Sequence, residues 1–439
     1  MPGGATIFAP ATAPGRAGVA VIRISGPWCR TILRALMGAD GLPTSRHATF
    51  AALRDPGTGE VLDRGLVLWF PGPGSFTGED VVELHCHGGG AVVTAFLVVL
   101  GGFDGCRLAE AGEFTRRAFQ NGKMDLTQAE GLADLIAAET EAQRRQAQRQ
   151  MAGELGQIYE GWRADLINAL AHLEADIDFP DEDLPDGMTQ RQRPVLARLA
   201  GELSAHLDDN HRGERLRDGC HMVILGAPNV GKSSLLNALA RRDAVIVSAQ
   251  AGTTRDIVEV SMNLGGYPVV LADTAGLRDS NDTIEEEGVR RARARGAQAD
   301  LKIVLYDCAA TAEPDEDVLA LADDGLLVAS KVDLAPVPPR MGLGVSTKTG
   351  QGLESLSAKL TQEAARRMSA NGPPGLTRAR HRQGLADCRD ALNRALEQDD
   401  GEFMAEDARL AARCLGRITG RVDVDDILDV VFGDFCIGK

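Results

Sequence analysis

At 439 residues the chain has room for about three domains, at a prior of roughly one per 150 residues, and its formal net charge of -16 argues against a globally basic nucleic-acid binder. No apolar run is long enough to span a bilayer, and no basic segment followed by an apolar one opens the chain, so the expected location is the cytoplasm. Its eight cysteines, at 29, 86, 106, 220, 308, 388, 414 and 436, include no C-x-x-C pair, which argues against a zinc site or a disulfide framework and for reduced thiols.

Residues up to about 120 read as an α+β domain, with β-like runs at 19–24, 65–70 and 81–87 and an apolar helix at 91–100. His85, Cys86 and His87 lie in the third run, where a strand puts the two histidines on one face and the cysteine on the other; no further ligand clusters nearby, so a metal is not expected. From about Leu132 the pattern turns helical. Leu155, Ile158, Trp162, Leu166, Leu170, Leu173 and Ile177 recur every three or four residues, a stripe that needs partner helices.

An apolar strand at 221–225 then runs into Gly226-Ala227-Pro228-Asn229-Val230-Gly231-Lys232-Ser233, and a helical run at 234–240 leaves it. The glycines let the loop curl so that successive N–H groups face one anion; Lys232 adds a point charge for β/γ-phosphates and Ser233 a hydroxyl for Mg2+. A strand at 269–271 delivers Asp273-Thr274-Ala275-Gly276, where Asp273 would hold Mg2+ through water and the Gly276 amide could sense a γ-phosphate. Thr254, in Ala251-Gly252-Thr253-Thr254-Arg255-Asp256, is the natural second hydroxyl for Mg2+.

A third strand, at 326–329, ends in Ser330-Lys331-Val332-Asp333. The Asp333 carboxylate can accept two hydrogen bonds from guanine and finds no such donor pair on adenine, so GTP is expected over ATP. GTPases usually have Asn where this chain has Ser330, whose shorter side chain should anchor the base less well. Ser346-Thr347-Lys348 stands where GTPases close the base pocket. The expected nucleotide contacts are therefore Asn229, Val230, Gly231, Lys232, Ser233 and Ser234; Ser248, Ala249, Gln250, Ala251, Gly252, Thr253 and Thr254; Asp273, Thr274, Ala275 and Gly276; Ser330, Lys331, Val332 and Asp333; and Ser346, Thr347 and Lys348.

Leu277 follows the Asp-x-x-Gly motif where many small GTPases carry a water-orienting Gln, so another group must orient the attacking water. Glu285, Glu286 and Glu287 read from composition as helix-start carboxylates. Arg290, Arg291, Arg293 and Arg295 could meet phosphates, although a solvated helix face explains them as well. After the 371–375 breaker, helical spacing returns at Leu385, Leu392, Leu396, Leu410 and Ile418. The expected architecture is multidomain: an α+β domain at 1–120, a helical domain split into 121–215 and 377–439, and an α/β P-loop GTPase domain inserted at 216–376.

Across almost its whole length the chain resembles the MnmE (TrmE) family of tRNA modification GTPases. The matching stretches are Ala13-Pro14-Gly15-Arg16, Ile22-Arg23-Ile24-Ser25-Gly26, Phe76-Thr77-Gly78-Glu79-Asp80, Gly112-Glu113-Phe114-Thr115, Asn121-Gly122-Lys123-Met124-Asp125-Leu126 and the terminal Phe435-Cys436-Ile437-Gly438-Lys439. The resemblance implies a homodimeric, potassium-dependent GTP hydrolase. It implies that the enzyme acts with a flavoprotein partner, MnmG (GidA), in a heterotetramer to modify the wobble uridine of certain tRNAs at C5. It implies Glu285 as the water-orienting residue, potassium held by Asn229, Ser248, Gln250 and Thr253, and Mg2+ held by Ser233 and Thr254. It further implies a folate-binding-like N-terminal domain in which Arg23, Glu83, Lys123 and Lys439 hold 5-formyl-tetrahydrofolate, with Cys436 as a catalytic or positioning thiol. A regulatory GTPase without tRNA chemistry is the competing class; the folate-like domain and the terminal Phe-Cys-Ile-Gly-Lys favour modification.

Overall fold

The computed structural model describes residues 4–38, 41–178, 188–242, 244–245, 258–273, 299–311, 313–314, 316–322, 325–337, 342–369, 374–422, 425–433 and 435–438. The chain forms two compact units, Met1–Ala133 with Gly416–Lys439, and Asp134–Leu415.

The first unit is built on a six-stranded sheet of order β3-β4-β5-β2-β1-β6. Its strands are β1 (Thr6–Pro10), β2 (Ala17–Ser25), β3 (Thr49–Arg54), β4 (Val61–Phe70), β5 (Val81–Gly88) and β6 (Cys106–Leu108). Alternation decides its faces. Ala20, Ile22 and Ile24 of β2 and Val82, Leu84 and Cys86 of β5 point to one side, where helices α1 (Cys29–Met37) and α2 (Gly90–Gly101) supply Ile32, Leu33, Leu36, Phe96 and Leu100. The intervening residues Arg23 and Glu83 are left on the other side, directly opposite one another in the antiparallel β2–β5 register. Strands β2, β4 and β5 and helix α2 occupy the runs expected from the sequence, whereas β1, β3, β6 and α1 were not expected; β1 and β6 are only 5 and 3 residues long.

The C-terminal segment packs within this same unit. Gly112, which precedes α3 (Glu113–Gln120), has φ +66°, and a Cβ there would collide with the Phe432 carbonyl. Leu428, Phe432 and Phe435 bury themselves against Leu126 and Ala129, and Ile437 forms an antiparallel bridge to Ala111. Gly438 is thereby carried to the sheet face that holds Arg23, whose Nη1 lies 3.5 Å from its carbonyl oxygen.

Most of α4 (Leu126–Ala137) belongs to the first unit, and the second unit contains α5 (Glu141–Met151), α6 (Glu154–Asp178), α7 (Met188–Leu207) and α8 (Arg212–Asp218). The stripe expected on α6 is rotated slightly: Leu155, Leu166 and Leu173 are buried as expected, but Tyr159 and Ala169 complete the buried face while Ile158, Trp162, Leu170 and Ile177 sit at its margin. The reason is Tyr159, whose fully buried ring packs against Trp162, His206 and His381 and sets the helix orientation. C-terminal to the α/β part come α12 (Ala379–Glu397) and α13 (Gly401–Thr419); Leu385 and Leu392 are buried, whereas Leu410 is exposed, contrary to its place in the expected stripe. A final helix, α14 (Asp425–Gly433), belongs to the first unit.

The α/β part is a seven-stranded sheet of order β13-β12-β11-β7-β10-β9-β8. Strands β7 (Cys220–Gly226), β10 (Tyr267–Asp273), β11 (Leu301–Asp307), β12 (Leu326–Ser330) and β13 (Leu343–Val345) are parallel, and β9 (Val258–Leu264) pairs antiparallel with β10 and with β8 (Ala244–Val245). Helices α9 (Lys232–Arg242), α10 (Glu316–Leu321) and α11 (Leu353–Met368) connect them. Covered on both faces, the parallel strands read as continuous apolar runs rather than alternating ones. Where the chain enters and leaves this part, Asp209 ties the two crossings by accepting from Arg382 Nη2 (2.6 Å) and the Leu376 amide (3.1 Å).

Candidate functional site

The carboxyl ends of parallel strands in an open α/β sheet are where ligands bind, and here β7, β10 and β12 bring three predicted motifs to that edge. Gly226 closes β7 at φ +145°, a conformation that glycine tolerates; a Cβ would strike the Leu305 carbonyl of the neighbouring strand. Asn229 at φ +61° and Gly231 at φ +104° continue the curl, so that α9 starts at Lys232 with its N–H groups facing the loop. Val230 is buried in the core beneath, and Ser234 lies on the exposed side of the first turn.

Lys232 folds over this loop and donates to the carbonyls of Gly226 (2.8 Å) and Ala227 (2.9 Å). Burial lowers its pKa, and the nearby Asp273 carboxylate offsets part of that effect. Ser233 donates to Asp273 Oδ2 at 2.5 Å, which joins two motifs 40 residues apart. Their meeting follows from the β7–β10 pairing, which sets Asp273 beside Ile224. Hydroxyl and carboxylate together are the hard oxygen donors that Mg2+ prefers.

The base-reading motif follows β12. Ser330 is buried, Lys331 stands at φ +61° with Nζ 2.6 Å from Asp307 Oδ2, and Asp333 is exposed beside a groove lined by Val332, Leu334, Pro336, Gly344 and Gln351. Burial alone would raise the Asp307 carboxyl, but the Lys331 bond and the Ala309 amide outweigh it and hold it below the usual range. The Val332 amide donates to Val345 (3.3 Å), which sets the loop of Ser346, Thr347 and Lys348 alongside. Ser346 is buried and accepts from the Thr349 amide at 3.2 Å, while Thr347 and Lys348 are exposed. Asp307 was missed in the sequence, although a carboxylate ending an apolar strand at the same edge as Asp273 was a usable signal.

Ser248, Ala249, Gln250, Ala251, Gly252, Thr253, Thr254, Thr274, Ala275, Gly276, Leu277 and Glu285 lie outside the described residues, as do Arg255, Glu286, Glu287, Arg290, Arg291, Arg293, Arg295 and Lys439.

A second constellation occupies the open sheet face of the N-terminal unit. Arg23 donates to Glu83 through Nε (3.0 Å) and pairs with it through Nη2 (2.9 Å), both side chains being mostly buried. Its guanidinium lies over the rings of Phe76 (5.3 Å) and Phe114 (5.7 Å) and reaches the Gly438 carbonyl at 3.5 Å. The two aromatic platforms were not foreseen. Lys123 donates to the Pro73 carbonyl (2.9 Å) on the loop that carries Phe76, and Cys436 is exposed in the tail beside this face. His85 has Nε2 3.6 Å from Glu83 Oε2, His87 bonds Asp63, and Cys86 points into the core; no metal-ligand cluster occurs among the described residues.

The chain that carries this loop and the carboxylate joined to it matches known proteins over almost its whole length. The family description "GTP-binding protein TrmE N-terminus" fits residues 6–123 and "MnmE helical domain" fits residues 126–436. The chain belongs to the MnmE family of tRNA modification GTPases. The tRNA modification GTPase MnmE of Parvibaculum lavamentivorans is 57% identical over 439 residues, covering 99% of this chain and 100% of the relative. That of Rhodospirillum rubrum is 57% identical over 455 residues, covering 99% of each. The human mitochondrial 5-taurinomethyluridine tRNA synthase subunit GTPB3 is 50% identical over 460 residues, covering 99% of this chain and 94% of the relative. As an MnmE-family enzyme the protein is a GTP hydrolase of tRNA modification, and no helix among the described residues is long and apolar enough to cross a membrane.

Proposed function

We propose that this protein is a potassium-dependent GTPase that, as a homodimer joined to an MnmG (GidA)-like flavoprotein in the cytoplasm, takes part in adding an aminomethyl or carboxymethylaminomethyl group to C5 of the wobble uridine of certain tRNAs. The observation that carries the nucleotide part is the Ser233–Asp273 contact at the mouth of the curled loop, an oxygen pair suited to Mg2+. Thr254 is the second hydroxyl for that ion. Lys232 leaves the Gly226 and Ala227 carbonyls for the β/γ-phosphates, and Asp333 reads the guanine edge. Bound potassium supplies positive charge beside the β/γ-phosphates; Asn229, Ser248, Gln250 and Thr253 hold it, and Glu285 orients the attacking water.

For the one-carbon donor, the Arg23–Glu83 pair offers a carboxylate and a guanidinium on one face, flanked by Phe76 and Phe114, which fits the polar edge and flat ring of a pterin. Lys123 and Lys439 complete the folate set with positive charge, and Cys436 is a positioning or catalytic thiol beside it. GTP turnover by the purified chain in potassium and in sodium chloride at equal ionic strength tests the cation assignment. Hydrolysis should rise by roughly tenfold or more in potassium; equal turnover in the two salts would remove the potassium site and leave the family assignment in place.

A further inference from the structure

Ser330 is only 5% exposed, and its hydroxyl lies 2.8 Å from the Val230 carbonyl of the phosphate loop and 3.0 Å from the Tyr306 carbonyl of β11. A serine hydroxyl carries one hydrogen. Both carbonyls compete for it, so none remains to donate to a nucleotide. The rest of the loop is likewise held from the protein side: Cys308 Sγ donates to the Ser330 carbonyl at 2.9 Å, and Asp307, which faces Ser330 in the parallel β11–β12 register, grips Lys331 at 2.6 Å. An amide side chain at this position would carry two hydrogens and could serve both a carbonyl of the protein and an acceptor of the purine.

We infer that this chain recognises guanine without reading its N7 atom. Ser330 is a positioning residue that ties the base-reading loop to the phosphate loop, and purine discrimination passes to the Asp333 carboxylate, which takes the two donors of the guanine N1–N2 edge. The inference deepens the reading of this site as a GTP site and rests on it. It sets the ligand class more narrowly: any purine nucleotide that presents the N1–H and N2 donors is accepted, whether or not position 7 is an acceptor.

The test is competition against a fluorescent GDP on the full chain, with GDP, 7-deaza-GDP and ADP as competitors. The 7-deaza compound should bind within about twofold of GDP, and both should bind roughly 100-fold or more tighter than ADP. A loss of more than about tenfold on replacing N7 by carbon, with ADP still rejected, overturns the inference and leaves the guanine reading intact. If ADP competes as well as GDP, the guanine reading fails and the inference with it. S330A should weaken GDP and 7-deaza-GDP equally, by roughly five- to tenfold, with the hydroxyl restored in Ser330→Thr recovering both. An S330A change that weakens GDP alone would show that the hydroxyl reads N7, and no change for either ligand would remove its positioning role. The measurement on the unaltered chain decides the N7 question even if a variant fails to fold.

Discussion

Changing Lys232 to Met keeps the aliphatic stem and deletes the ammonium, and the surroundings of that group fix what should follow. In the protein alone the ammonium bonds two neutral carbonyls, at 2.8 and 2.9 Å, while burial disfavours its charge and lowers its pKa. A base with a depressed pKa holds its proton less tightly in the folded chain than in the unfolded one, so its charge is a burden on folding that the two bonds must offset. Removing both together should change folding stability by less than about 1 kcal/mol. With a nucleotide bound, the same ammonium faces phosphate oxygens, and two charge-assisted bonds at about 1.5 kcal/mol each amount to about 3 kcal/mol, roughly a 150-fold loss in GDP affinity. Urea unfolding without nucleotide and titration with fluorescent GDP read the two quantities separately. A variant that loses about 3 kcal/mol of stability and still binds GDP within about twofold of the parent would refute the reasoning and make Lys232 a structural residue.

Other residues give equally direct outcomes. Asp333→Asn turns one acceptor into a donor facing the guanine amino group, so GDP affinity should fall by roughly 100-fold while xanthosine diphosphate gains, as read by competition; unchanged GDP binding would exclude Asp333 from the base site. Glu285→Ala should slow single-turnover GTP hydrolysis by roughly 100-fold with GTP affinity nearly unchanged, and an unaltered rate would return Glu285 to a solvated helix start. Burial alone would raise the Glu113 carboxyl, but Arg107 (2.7 and 2.6 Å), the Glu110 amide (3.0 Å) and Arg117 (3.0 Å) outweigh it and hold it low. A depressed carboxylate contributes stability that is present above its unfolded pKa of about 4.3 and lost as pH falls through the folded value. Glu113→Gln should therefore cost roughly 2 kcal/mol at pH 7, with the difference closing below about pH 4 in unfolding curves; a gap that stays constant with pH would deny the charge its role.

The phosphate loop was legible in the sequence because its chemistry is local: one strand, one run of glycines and one helix start determine it. The Ser233–Asp273 contact was legible only as two separate motifs, since strand order decides that β10 lies beside β7, and nothing in the spacing of 40 residues states it. The same holds for Arg23 and Glu83, which the β2–β5 register makes direct neighbours from 60 residues apart. Ser330 is instructive in the opposite sense. From composition it was a shortened base contact, whereas the fold spends its hydroxyl on Val230 and Tyr306. On α6 the aliphatic spacing pointed a fraction of a turn away from the buried face because a tyrosine, ambiguous by hydropathy, is what the bundle encloses. Leu410 shows the same limit, being apolar at a helical period yet exposed.

The central claim is that GTP handled at the Lys232 loop serves tRNA modification. It is tested most directly by mass spectrometry of wobble uridines in a strain lacking this protein, complemented with the parent chain or with Lys232→Met at matched abundance. The parent should restore the C5-modified uridine and the variant should leave it unmodified; full modification in cells carrying only the variant would contradict the account.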